Sequence, residues 1–321
     1  LPNMISNMWK VMVATMASMA EPFCQTLYAG CGEIRNYKTR RNTMRSLATM
    51  ILPLVLAPLV YAQDIPLSQI IPEKSNWAQV RQIDKKVLAI AGNADGSILI
   101  ALENEVIRLD KSNTISKVSK AAGIIAILPQ DDGSLYLSHP KPARILHVPL
   151  GKDEPEVFCE GLAPTAMALL SRGKFFADLP NDPSIYLVEK NSFRKVDDGP
   201  CASLALDQSR SILFAGTTET MQIATLRVKA DGNLDARDYY VAPRKAPPGA
   251  SALVTDLKVD SLNRIYAATS IGVQVFDPTG RLCGVLTNPN GKPGFITIAG
   301  ETLYCLSDGK LFSRPLLFGK K

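Results

Sequence analysis

The sequence predicts an all-β fold: a six-bladed β-propeller of four-stranded blades, the last blade closed by a strand from the amino-terminal side. Three observations predict it. A unit of short apolar strands divided by tight polar turns recurs six times from Val87 onward. The repeat length is about 40 residues, the range of a four-stranded blade. No window sustains a 3.6-residue apolar period, which excludes a helical bundle and a doubly wound sheet.

The first strands of the six units read VLAIAG, IIAILP, AMALLS, SLALDQ, DLKVDS and FITIAG. Each is followed by a turn, at Asp95-Gly96, Asp132-Gly133, Arg172-Gly173, Ser209-Arg210, Leu262-Asn263 and Gly300-Glu301. The second strands are SILIAL, SLYLSH, KFFADL, SILFAG, RIYAAT and TLYCLS, and the third are EVIRLD, RILHVP, SIYLVE, QIATLR, GVQVFD and KLFSRP. These runs are rich in Val, Ile, Leu and Tyr and bounded by Gly, Asp and Asn, the pattern of consecutive hairpins. Fourth strands fit as TISKVS, EPEVFC, SFRKVD, ARDYYV and RLCGVL. The turns are 37, 40, 37, 53 and 38 residues apart, and the long step contains a polar, Pro-rich insertion between Asp231 and Ala250. The sixth unit has no fourth strand of its own. WAQVRQI, around Trp77, is expected to supply it, which would leave no open edge where the ring closes.

The amino end has a different character. Residues 44–62, MRSLATMILPLVLAPLVYA, place one Arg before a mostly apolar run that ends in Val60-Tyr61-Ala62. This is the pattern of a signal peptide cleaved after Ala62, so export to the periplasm or outside is expected. The run from Met50 to Tyr61 contains Pro53 and Pro58 and is too short and broken to span a membrane. No Cys follows it to take a lipid anchor. Residues 1–43 are then an upstream or leader segment with no part in the mature protein, in spite of the helical spacing of Met4, Met8, Met12, Met16 and Met19. Arg40-Arg41 does not continue as a twin-arginine motif. The working domain is expected to be residues 63–321.

Composition restricts the chemistry. The chain has 36 Lys and Arg against 30 Asp and Glu, a balance of +6. Residues 1–62 carry six basic and two acidic residues, so the remainder holds 30 against 28, or +2. That balance does not indicate a nucleic-acid partner. The two histidines, His139 and His147, nearly exclude a His-rich zinc site and leave little for a Ser-His-Asp triad. Nothing indicates a fixed oligomer, and a monomer is expected.

In a propeller the first strand of each blade lines the central channel, so a site there gathers one residue per blade. Rings of carboxylate and amide oxygens suit a hard cation such as Ca²⁺, which takes six to eight oxygen ligands. GVQVFDPTGRLCGVL, preceded by VTDLKVDSLNRIYAAT, resembles the carboxyl-terminal blades of the regucalcin/gluconolactonase family. Those blades read Pro-Asp-Gly, a hydrophobic residue, x, Val-Asp, then a Leu-Tyr-Val-Ala-Thr strand and Gly-Val-x-Val-Phe-Asp-Pro-x-Gly. IATLRVKADGNLDARDYYVAP is similar to the stretch before them. The resemblance is strong over residues 200–316 and follows blade rhythm alone over 77–199. It implies a six-bladed propeller with Ca²⁺ or another divalent cation in the channel, hydrolysing a sugar lactone or related ester, with the metal polarising the carbonyl or activating water.

The resemblance also implies a ligand set. Asp256, in Thr255-Asp256-Leu257, matches the family's Pro-Asp-Gly aspartate and is the candidate metal ligand and catalytic base. Thr165, in Pro164-Thr165-Ala166, stands where the family has an Asn ligand and is the second candidate metal ligand. Ala202, in Cys201-Ala202-Ser203, replaces another Asn. The first-blade Glu register falls on Leu88, and the second-blade register lies between Ala122 and Ile125. Loop acids Glu160, Asp197 and Asp198 are candidates to compensate. Two readings therefore stand: a gluconolactonase-like hydrolase centred on Asp256, or a non-catalytic propeller that binds a small molecule, glycan or protein on its channel face.

Other residues read as structural. Asp256 itself could serve to hydrogen-bond backbone. Asp178 is expected to brace a turn, Asp260 to support the turn at Ser261-Leu262-Asn263, His139 to be a solvated loop residue, and His147 to sit in the framework. Cys159, Cys201, Cys283 and Cys305 remain after residue 62. An exported protein can pair them, four cysteines allow three pairings, and unpaired buried thiols are an equal alternative.

Overall fold

The computed structural model describes residues 65–318, apart from 181, 218, 219, 246, 292 and 293. The expected leader and signal segments, residues 1–62, lie outside the described residues. Among the described residues, no helix is long and apolar enough to cross a membrane.

The chain forms six four-stranded antiparallel sheets. Strand β1 (Ala78–Gln82) comes first in sequence. Blade 1 is then β2 (Val87–Gly92), β3 (Ile98–Leu102), β4 (Val106–Leu109) and β5 (Ile115–Ser119). Blade 2 is β6 (Ala126–Pro129), β7 (Leu135–Pro140), β8 (Ala143–Val148) and β9 (Glu156–Glu160). Blade 3 is β10 (Met167–Ser171), β11 (Lys174–Leu179), β12 (Asp182–Glu189) and β13 (Ser192–Asp197). Blade 4 is β14 (Ser203–Leu206), β15 (Ile212–Gly216), β16 (Ile223–Arg227) and β17 (Asp238–Val241). Blade 5 is β18 (Asp256–Val259), β19 (Ile265–Thr269), β20 (Gly272–Phe276) and β21 (Leu282–Leu286). Blade 6 is β22 (Phe295–Ala299), β23 (Thr302–Ser307) and β24 (Lys310–Pro315). Its fourth strand is β1, which pairs antiparallel with β24 from Ala78–Ser313 to Gln82–Lys310. The closure expected of WAQVRQI is therefore present, and the ring has no unpaired junction.

Each inner hairpin turns through one residue in the left-handed region: Gly96, Gly133, Gly173, Arg210, Asn263 or Gly300. Aspartates at several of these corners hold the turn from within. Asp95 and Asp132 accept the backbone N–H of Ser97 and Ser134 at 2.9 Å, the Asx geometry that favours Asp at such sites.

The core is divided among the seams between blades. Ala89, Leu99, Leu135 and Leu146 fill the seam of blades 1 and 2. Tyr136, Phe158 and Phe175 fill the next, then Phe176, Leu187, Leu213 and Leu226, and Phe214, Ile265 and Phe276. Tyr266, Val275, Ile296 and Leu303, joined by Ile70 and Ile71, fill the seam of blades 5 and 6. Ile98, Ile100, Leu306 and Leu311 complete the circle between blades 6 and 1. Each such Val, Leu, Ile or Phe side chain contributes roughly 1.5–3 kcal/mol on burial, so the ring is held by many such seams. Between blades 6 and 1 the inner strands approach so closely that a Cβ on Gly92 would lie 2.0 Å from the Ile298 carbonyl oxygen. Only glycine fits there.

Candidate functional site

The inner strands β2, β6, β10, β14, β18 and β22 surround the channel, and Asp256 opens β18. Register identifies its counterparts. Thr255 N–H bonds Ala268 O just before Asp256 pairs with Ala268. The same step occurs at Ile125 before Ala126, at Ala202 before Ser203 and at Gly294 before Phe295. Counting back along the inner hairpins adds Ala89 and Ala166. Ala89, Ala126, Ala166, Ser203, Asp256 and Phe295 thus form one ring, and all six line the same cavity. It contains three methyls, a phenyl ring, a hydroxyl and one carboxylate.

Both candidate residues of the sequence reading, Asp256 and Thr165, line this cavity, together with Ile125, Ala202 and Thr255. Thr165 stands level with Thr255, one residue before the Asp256 ring. Leu88 packs against the core seam of blades 1 and 2 and does not line the cavity. Glu160, Asp197 and Asp198 do not line it either. Asp197 is engaged by the Arg237 guanidinium, whose Nε donates to it at 2.9 Å, and Asp198 pairs with Lys195 at 3.2 Å.

Asp256 is engaged through both oxygens. Its Oδ1 accepts the N–H of Leu257 at 2.9 Å, and its Oδ2 accepts the N–H of Ile296, on blade 6, at 3.0 Å. The Lys258 ammonium, also in the cavity wall, donates to Oδ1. Lys258 was not singled out in the sequence, yet its signal was there. Residues two apart on a strand share a face, so Asp256-x-Lys258 on a channel strand places both side chains toward the axis.

The three hydroxyls of the cavity wall have their protons committed. Thr165 Oγ1 donates to Asp178, Ser203 Oγ to Val254 O at 3.0 Å, and Thr255 Oγ1 to Ala268 O at 3.2 Å. Asp178 also accepts the N–H groups of Thr165 and Ala166, both at 2.7 Å, and so fastens the loop that leads into blade 3. Burial pushes its carboxyl above the usual carboxylate range, against the pull of these hydrogen bonds.

A divalent cation implied by the resemblance can be tested on this donor set. Ca²⁺ needs six to eight oxygens and a charge to match. The wall offers one carboxylate, already bonded to an ammonium, and three hydroxyls. Among the described residues no group of three His, Cys, Asp or Glu could hold a metal. The residues present do not fit a tightly held divalent cation.

The channel cavity is small, about 60 Å³, room for a few waters. A larger one, about 590 Å³, lies on the same face, between the β15–β16 loop and the linker into β18. Its wall includes Met221, Gln222, Pro243, Lys245, Pro247 and Ala252. The linker is fixed by Gln274, fully buried, whose Oε1 accepts Arg244 N–H at 2.7 Å and whose Nε2 donates to Arg244 O at 3.0 Å.

The remaining candidates are structural. Asp260 accepts Leu262 N–H at 2.9 Å, Arg264 N–H at 3.0 Å, Arg264 Nε at 2.5 Å and the Tyr266 hydroxyl at 2.9 Å. His139, expected in a solvated loop, instead lies half-buried in β7 opposite Arg144, with Nδ1 3.1 Å from Pro142 O. His147 packs on Tyr136 with ring centroids 5.2 Å apart, and burial lowers its pKa. Cys159, Cys201 and Cys305 are buried free thiols, and burial pushes Cys305 up to about 12.

No protein-family model and no curated protein matches the chain. Solved structures do match its fold. A gluconolactonase from Xanthomonas campestris is 15% identical with a TM-score of 0.65, over 78% of this chain and 92% of that one. A calcium-binding regucalcin from Agrobacterium tumefaciens is 14% identical with a TM-score of 0.61, over 76% and 96%. A chain of a nidogen/laminin complex is 17% identical with a TM-score of 0.53, over 66% and 85%. At these identities the likeness is one of fold, shared by enzymes and by a protein of a binding complex.

Proposed function

We propose that this propeller is a small-molecule-binding module, and that its ligand sits on the face where Asp256 opens without being hydrolysed on a channel cation. The observation that carries this reading is a contrast in volume. The channel cavity of about 60 Å³ falls well below the range of ligand pockets, ~300–1,000 Å³, whereas the neighbouring cavity of about 590 Å³ lies within it. Pro243, Pro247 and Pro248 fix much of its linker, and Gln274 clamps Arg244 from below. Its wall is mostly apolar with one cationic residue, Lys245, which suits a small apolar molecule carrying an acid group.

Lactone hydrolysis is the second reading, favoured by Asp256 and Thr165 meeting in one channel cavity and by the gluconolactonase fold. In it Asp256 is the base and, with Thr165, a weak metal ligand. One paired assay separates the two. Sugar lactones are tested for proton release, and apolar carboxylic acids for thermal stabilisation, with Ala252→Trp to fill the larger cavity and Asp256→Asn to disable the channel. Acid binding that disappears in Ala252→Trp, with no lactone turnover, supports the binding reading. Turnover abolished by Asp256→Asn replaces it with the hydrolase.

A further inference from the structure

The seam that closes the ring is incompletely filled. Val80 and Arg81 are consecutive on β1, yet Val80 packs into the core between blades 6 and 1 and Arg81 lines a cavity on that same seam. Neighbours on a regular strand face opposite sides. Here the pairing with β24 shifts register between Gln79 and Arg81, a bulge that lets both side chains face blade 1. The cavity is about 390 Å³ and shares no residue with the one beside Pro243. We propose that it is a second ligand site, taking an unbranched aliphatic carboxylate of medium chain length with its head group on the Arg81 guanidinium.

The floor suits an alkyl chain. Ile100 and Leu102 on β3, Ile107 and Leu109 on β4, and Ile115 on β5 line the cavity. The first four are buried, whereas Ile115 is 48% exposed although its neighbours are not. Adjacent strands lie about 4.8 Å apart, so this aliphatic floor runs roughly 10 Å across three strands. Among the described residues no aromatic ring lines the cavity, so nothing there stacks on a flat ligand.

The charges leave Arg81 without a partner. Arg81, Asp84, Lys85 and Glu105 are the charged residues of the wall. Glu105 is spent on Lys85 at 2.9 Å and on Lys117 at 3.3 Å, and Asp84 is exposed to solvent. Arg81 is half-buried and makes no ion pair among the described residues, and its Nη1 is buried with no hydrogen-bond partner. A guanidinium placed so has given up water without gaining an acceptor. A carboxylate matches its planar fork with two parallel bonds, and an alkyl chain lying on the isoleucines carries that group into the same cavity.

The test is titration calorimetry of the full chain with decanoate, below its micellar concentration, and with decanol as the uncharged comparison. Wild type should bind one decanoate and should bind decanol more weakly. Arg81→Met keeps the stem and removes the charge. It should weaken decanoate roughly 10- to 100-fold and leave decanol unchanged. Its melting temperature without ligand should not fall, because no native partner is lost. Ile115→Glu, at a half-exposed position, puts a like charge on the floor and should abolish decanoate binding. Ala252→Trp, which fills the larger cavity, should bind decanoate as wild type does. The proposal is overturned if decanoate does not bind, if it binds Arg81→Met as tightly as wild type, if Arg81→Met melts lower, or if Ala252→Trp removes binding. The reading of the larger cavity fails separately, since it stands on acids whose binding Ala252→Trp abolishes and Arg81→Met leaves intact.

Discussion

Asp256 on blade 5 accepts the backbone N–H of Ile296 on blade 6 at 3.0 Å. The channel acid is thus a strut between neighbouring blades as well as the partner of Lys258. Charge-assisted bonds of this kind are worth about 1.5–3 kcal/mol. Asp256→Ala should lower the urea unfolding free energy by an amount in that range, and Asp256→Asn, which keeps an acceptor for Ile296, by less. Equal losses in both would mean that the bond to Ile296 contributes little.

Asp178 sets a pH dependence. Its carboxyl is 2% exposed, and burial raises its pKa above the ordinary 3.8. The native state then holds this proton more tightly than the unfolded chain does. Stability from this group is fully present below about 3.8, falls as pH rises through the native value, and stays low above it. Asp178→Asn keeps an acceptor for Thr165 and Ala166 but cannot ionise. Its melting temperature relative to wild type should rise from acid to neutral pH, and a constant difference would contradict the assignment. Asp178→Ala, which strands three donors, should cost roughly 2–4 kcal/mol in acid and less as pH rises, because it too lacks the ionisable group.

Ring closure depends on Gly92. A Cβ there meets the Ile298 carbonyl oxygen at 2.0 Å, and a backbone atom cannot step aside as a side chain can. Gly92→Ala should cost about 3 kcal/mol or more by chemical denaturation. Gly151→Ala is the control. It has open space and a φ of 77°, so only the left-handed penalty of about 1–2 kcal/mol applies.

Arg264 and Asp260 form a buried pair, and Arg264 Nη1 donates to Leu317 O at 2.9 Å. Arg264→Leu leaves Asp260 buried without its cation and should destabilise by about 3–5 kcal/mol. Limited proteolysis should then cleave near Leu317 sooner than in wild type. Unchanged stability would mean that Asp260 is neutralised by another group.

Most of the architecture was legible because the strands are short, apolar and punctuated. VLAIAG, KFFADL and GVQVFD each became the strand their pattern predicted, and the missing sixth-blade strand pointed to WAQVRQI, which pairs with β24 as β1. The channel was less legible, because one residue of register decides which side chain reaches the axis. Motif alignment placed Thr165 and Ala202 level with Asp256. The ladders place Ala166 and Ser203 there, with irregularities at Val87/Ala89 and Leu169/Ser171 marking where such counting slips. Asp178 behaves as expected of a brace, since a carboxylate beside a strand start finds free N–H groups. The bond from Asp256 to Ile296 joins residues 40 apart in sequence, and no local pattern announces it.

The central claim is that the channel carries its own cation and holds no divalent one. Equilibrium dialysis of the wild-type protein against radioactive calcium, at millimolar concentration, tests it most directly. The account predicts no calcium retained beyond that of Asp256→Asn. Stoichiometric binding that disappears in Asp256→Asn would contradict it.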